Sequence, residues 1–160
     1  MNKVRSIRLL VAIALIVSIG FPVFAAGTGS LIITGTMPVI ERINVTNLNP
    51  ALNLETGGTY VLANVVEICN RKTGYTVSLS SAGGSKLVMA GATEPVPYTL
   101  TYTGHTGTIN LSAPVTITDA GAKTPKVGEP KVLSITIPAP DVLFDSGTYT
   151  DTLTFTITAK

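Results

Sequence analysis

The sequence predicts an all-β protein of β-sandwich type, and three observations carry the prediction. Beyond residue 25 the apolar stretches are short, rich in Val, Ile and Thr, and alternate with hydroxyl residues at a period of two, as in strands with one face buried and one in water. Clusters of Gly, Pro and Asn interrupt them at roughly ten-residue intervals, the spacing of a sandwich. No segment of that region carries a convincing helical period.

The plainest strand is C-terminal. Tyr149, Asp151, Leu153, Phe155 and Ile157 share one parity, and Thr150, Thr152, Thr154, Thr156 and Thr158 share the other. One face is oily and the other a threonine ladder, which suits a pleated, solvent-facing surface. The same rule sets Tyr75, Val77 and Leu79 against Thr76, Ser78 and Ser80, and Val96, Tyr98, Leu100 and Tyr102 against Pro97, Thr99, Thr101 and Thr103. Further strands are expected at Leu31–Met37, Val39–Thr46, Tyr60–Cys69, Lys86–Met89, Thr108–Leu111, Pro114–Thr118 and Lys131–Ile137. Turn-forming runs lie between them, among them Thr56-Gly57-Gly58, Ala82-Gly83-Gly84, Gly104 to Gly107 and Pro138 to Gly147. The segment 119–130, with its Gly, Pro and Lys, predicts a mobile loop. These elements suggest one immunoglobulin-like sandwich, with a barrel as the alternative architecture.

The N-terminus has a different character. Lys3, Arg5 and Arg8 precede the apolar run Leu9 to Ile19, then come Gly20 and Pro22, with Val23 and Ala25 as small residues at the two positions a signal peptidase reads. A signal peptide over 1–25 is therefore expected, followed by an N-terminal extension, 26–37, and a domain, 38–160. The apolar run falls short of the roughly 20 residues that cross a bilayer, so no membrane span is expected after cleavage and the chain should be exported.

The formal charge of +2 belongs to that leader. Three of the eleven Lys and Arg residues lie within it, so eight cations face all nine carboxylates in the rest, a net −1. A nucleic-acid surface needs clustered positive charge, and Arg71-Lys72 is the one adjacent basic pair after residue 25, so nucleic acid is not an expected partner. Cys69 is the sole cysteine; it reads as a buried small hydrophobe, with no internal disulfide available.

Catalysis is not expected. General acid–base or nucleophilic chemistry requires a positioned base, and the single histidine, His105, sits in the Gly-flanked turn Tyr102-Thr-Gly-His-Thr-Gly107. No phosphate loop, zinc spacing or nucleophile elbow occurs, so no cofactor is expected. Asp141, Asp145 and Asp151 fit no calcium loop and read as turn carboxylates that bond nearby backbone N–H groups.

The informative feature lies at the two ends. Residues 26–37 form an extended, β-branched, Gly-containing segment, and the strand 149–158 stops just short of Lys160. An apolar sheet edge left open in this way must be covered, and a segment from another copy could cover it by strand addition.

Several stretches resemble one family. Gly147-Thr-Tyr-Thr-Asp-Thr-Leu-Thr-Phe-Thr-Ile-Thr158 resembles the closing strand of the spore coat protein U family, which includes subunits of archaic chaperone–usher pili. Val65-Val-Glu-Ile-Cys-Asn70 with Gly74-Tyr-Thr-Val-Ser-Leu79, and Pro97-Tyr-Thr-Leu-Thr-Tyr102, are similar to its cysteine-bearing and Tyr-bearing middle strands. The resemblance implies an incomplete immunoglobulin-like fold, held by a periplasmic chaperone, passed to an outer-membrane usher and completed by donor-strand exchange. Such a chain would be a structural fibre or coat subunit in a homo-polymer or with other pilus subunits, moving from periplasm to cell surface. On that basis Leu31 and Ile33 would be the donor's apolar knobs, Gly35 would allow close passage, and Leu153, Phe155 and Ile157 would line the acceptor groove. Family members commonly pair this cysteine with one in the first strand, whereas Val39–Thr46 has none. The competing expectation is a self-complete, monomeric secreted sandwich acting as an adhesin or binding module; a secreted hydrolase relying on His105 is the third.

Overall fold

The computed structural model describes residues 28–160; the predicted signal peptide, 1–25, lies outside the described residues. The described chain is all-β. Its strands are β1 (Glu41–Asn47), β2 (Gly58–Cys69), β3 (Tyr75–Ser81), β4 (Lys86–Leu87), β5 (Val96–Pro97), β6 (Thr99–Tyr102), β7 (Val115–Ala120), β8 (Glu129–Ile137) and β9 (Leu153–Ala159). They form a four-stranded sheet in the order β1-β2-β8-β6, a three-stranded sheet in the order β7-β3-β9 and a β4-β5 ribbon, with every pairing antiparallel. No helix among the described residues is long and apolar enough to cross a membrane.

The two larger sheets share one core. Ala63, Val65 and Cys69 of β2 and Leu133, Ile135 and Ile137 of β8 come from one sheet; Tyr75, Val77 and Leu79 of β3 and Ile117 of β7 come from the other. Alternation puts these side chains on one face of each strand. Burying each Leu or Ile contributes roughly 1.5–3 kcal/mol, and this is the main stabilising term in a fold with no disulfide. Residues Met37–Lys160 form one compact unit.

The four-stranded order matches the A-B-E-D sheet of an immunoglobulin constant-type sandwich. In the second sheet β3 and β9 occupy the C and F positions. Among the described residues no strand lies in the G position beside β9.

Several sequence expectations need adjustment. Leu31–Met37 is not a strand, since residues 28–40 form neither strand nor helix; alternation alone does not make a strand where no ladder partner is available. Thr108–Leu111 reduces to one bridge, Ile109 with Leu100, closed by N–H···O bonds of 2.7 and 3.0 Å. The Val96–Tyr102 stretch keeps its predicted parity but is cut at Tyr98, whose N–H bonds the Ser85 carbonyl at 3.0 Å. The final strand starts at Leu153, because Thr150 exchanges bonds of 2.9 Å with Val88 instead of joining the β3 ladder. The 119–130 segment is tied down at Thr124, whose N–H reaches the Cys69 carbonyl at 2.9 Å and whose hydroxyl accepts from Cys69 N–H at 3.1 Å. At Gly74 φ is +91°, and a Cβ there would collide with the Ala120 carbonyl, so the tight β2–β3 turn requires glycine.

Candidate functional site

Among the described residues β1 and β9 are the outermost strands of their sheets, and each has a ladder partner on one side only: β2 for β1, β3 for β9. Between them runs a groove of about 680 Å³. One wall is Ile43, Val45 and Asn47 of β1, and the other is Leu153, Thr154 and Phe155 of β9. The floor is core: Ala63, Leu133 and Ile135 from the opposite sheet, with Leu87 and Tyr98 beside them.

The inward side chains of β9 are less buried than those of β3 beside it. Val77 and Leu79, on the inner face of β3, are 0 % exposed, whereas Leu153, Phe155 and Ile157 on the same face one strand outward are all half-buried. Leu153 and Phe155 line the groove as expected from the sequence. Ile157 packs against the core opposite Val77 and lies beyond the groove's lining. Phe155 also meets Tyr102 with ring centroids 6.2 Å apart. The expected donor residues are not buried: Leu31 is 85 % and Ile33 87 % exposed, the intervening Ile32 is 86 % exposed, and Gly35 has open space where a Cβ would stand.

Asp151 organises one end of the groove. Its carboxylate accepts from Ser81 Oγ at 2.5 Å, Gly83 N–H at 2.7 Å, Thr152 N–H at 2.6 Å and the Tyr98 hydroxyl. Burial pushes its pKa up, but these four donors outweigh burial and hold it below the usual carboxylate range. Burial and then the Asp151 bond keep the Tyr98 phenol well above its ordinary value. The cluster fastens the residues leading into β9 to the β3–β4 turn. There Ser85, buried and at φ +63°, donates its N–H to Ser81 Oγ at 3.0 Å and accepts from Leu111 N–H at 2.6 Å. Asp145 does not bond a neighbour in its own turn as expected but accepts from the distant Thr93 N–H at 2.7 Å, which lowers its pKa.

A second polar cluster escaped the sequence reading. Glu67 is 0 % exposed in the core, and its carboxylate accepts three hydroxyls: Tyr75 at 2.9 Å, Tyr102 at 2.8 Å and Thr118 at 2.7 Å. The donors come from β3, β6 and β7, so one carboxylate on β2 joins both sheets. Burial, followed by the Glu67 bonds, raises both tyrosine pKa values far above that of a free phenol. With three donors met, this cluster is a structural tie with no free acid or base to offer a substrate.

The remaining candidates are accounted for locally. Cys69 is 1 % exposed, and its Sγ accepts from Arg71 N–H at 3.5 Å. His105 is half-buried in the turn after β6, its N–H bonded to the Tyr102 carbonyl at 3.0 Å. Among the described residues no three His, Cys, Asp or Glu side chains gather as metal ligands. The arrangement is therefore suited to holding an extended apolar segment: two unpaired strand edges supply backbone donors and acceptors, and a core-lined floor accepts alternate side chains. No protein-family model matches the chain, and no curated protein matches its sequence.

Proposed function

We propose that this chain is a structural subunit of a surface fibre or coat, exported to the periplasm and assembled by donor-strand exchange. The observation that carries the reading is the groove between β1 and β9, whose walls keep apolar side chains, Val45, Leu153 and Phe155, partly exposed beside two outer strand edges. A strand laid there would bury Leu153 and Phe155 from the outside and, once β1 and β9 are parted by about 10 Å, two ladder spacings, would pair with both edges. The extension preceding β1 offers a complementary segment: Leu31, Ile33, Gly35 and Met37 share one parity, and Ser30, Ile32, Thr34 and Thr36 share the other, three of these four being polar. Until that strand arrives the partly exposed walls, Val45, Leu153 and Phe155, need another cover, since exposed apolar surface invites aggregation. A periplasmic chaperone strand followed by transfer at an outer-membrane usher supplies it. The similarity of residues 147–158 to the closing strand of spore coat protein U family members supports the same reading. The work is assembly, not catalysis.

The test is removal of the extension. Mature protein lacking residues 26–36 should still be bound by its chaperone but should fail to form polymers in sedimentation. Polymers of normal length from that variant would refute the reading. A monomer at high concentration that unfolds cooperatively with or without the segment would favour the self-complete module instead.

A further inference from the structure

Donor-strand exchange seats the extension in a second copy and not in its own groove; the following rests on that reading and names a residue of this chain that enforces it. Asn70, the residue after β2, continues the β1–β2 ladder beyond Glu41 and Cys69. Its N–H donates to the Ile40 carbonyl at 3.2 Å, its Oδ1 accepts from Ile40 N–H at 2.9 Å, and its Nδ2 donates to the Pro38 carbonyl at 2.7 Å. Three bonds thus hold residues 38–40 extended in line with β1. Pro38 also biases Met37 away from the helical region.

This clamp fixes how late the chain can turn back. With 38–40 held straight, the last place for a two-residue hairpin is Thr36-Met37. That turn would set Gly35 opposite Pro38, Ile33 opposite Ile40 and Leu31 opposite Arg42. The groove along β1 begins only at Ile43 and runs to Asn47. Ile33 would then fall three residues, roughly 10 Å, short of it. Ser30 and Thr28 would face Ile43 and Val45, an exchange of apolar knobs for hydroxyls. A segment from a second copy is under no such constraint. We infer that Asn70 is a positioning residue for assembly: by holding residues 38–40 in line with β1 it denies the extension its own groove and commits it to that of a second copy.

The register arithmetic supplies the experiment. Inserting Thr-Asn-Gly between Met37 and Pro38 lets the chain reverse at Asn-Gly, a favoured hairpin turn. Ile33 then lies opposite Ile43 and Leu31 opposite Val45, with the clamp intact. Inserting Asn-Gly alone shifts the register by one residue less and turns Leu31 and Ile33 to the wrong face. Full-length mature protein and both insertion variants would be compared by sedimentation, with hydrogen exchange over residues 31–35. The expected result is assembly of the native chain and of the two-residue insertion, and monomers with protected 31–35 amides for the three-residue insertion. Asn70→Ala should raise the monomer fraction about tenfold, the scale of one apolar side chain finding its pocket. A native chain that is monomeric with 31–35 protected would overturn the inference while leaving the groove reading intact. Assembly of the three-residue insertion as readily as the native chain would also overturn it. Monomers with unprotected 31–35 amides throughout would remove the groove reading and the inference together.

Discussion

Replacing Leu31 and Ile33 together by serine should weaken association between subunits by roughly two to four orders of magnitude. Both side chains are almost fully exposed before assembly, at 85 % and 87 %, so nearly all of their apolar surface remains to be buried on docking. Full burial of such a side chain is worth roughly 1.5–3 kcal/mol, and two give roughly 3–6 kcal/mol, where each 1.4 kcal/mol is a factor of ten. Ile32 is equally exposed, at 86 %, but lies on the opposite parity and would face outward from a strand that inserts Leu31 and Ile33. Ile32→Ser should therefore cost less than about tenfold, so exposure is matched and only parity differs. Sedimentation equilibrium of the full mature chain, with urea unfolding of the monomer as a control, separates association from fold stability. An Ile32→Ser loss as large as that of the double variant, or a double variant that assembles normally, would refute the reasoning.

Glu67→Ala should destabilise the domain by at least about 3 kcal/mol, since it opens a cavity and leaves up to three buried hydroxyls without an acceptor at roughly 1–3 kcal/mol each; a urea midpoint within error of the native value would contradict the account of that cluster. Asp151→Asn should flatten the acid limb of stability. Because the folded-state pKa of Asp151 is depressed, its contribution is fully present above the unfolded value of about 4 and is lost as pH falls through the folded value. Urea midpoints measured across that window should fall for the native chain and stay comparatively flat for the variant, and parallel curves would count against it.

How much could be read without coordinates differs from strand to strand. The alternation in 153–158 and 75–79 survives directly, because a period of two in a half-buried strand is a local property of the backbone. The break at Tyr98 was not legible, since it depends on the carbonyl of Ser85 arriving from another turn. Glu67 is the instructive case. It shares the parity of Val65 and Cys69, so its inward direction was available from the sequence. What makes a carboxylate tolerable there is a set of hydroxyls 8, 35 and 51 residues away, which no local pattern specifies. Asn70 likewise reads as an ordinary turn residue until its side chain is seen to span Ile40 and Pro38.

The amino-acid sequence by itself determined the all-β class and the inner and outer faces of the main strands, because both follow from the two-residue repeat of the extended chain. Only the tertiary structure decided that β1 and β9 flank one groove as the outer strands of their sheets, that Ile157 stands outside that groove while Leu153 and Phe155 stand in it, and that a buried carboxylate ties the sheets. Those outcomes depend on which distant strands become neighbours, and strand pairing is a property of the whole sandwich rather than of any one segment.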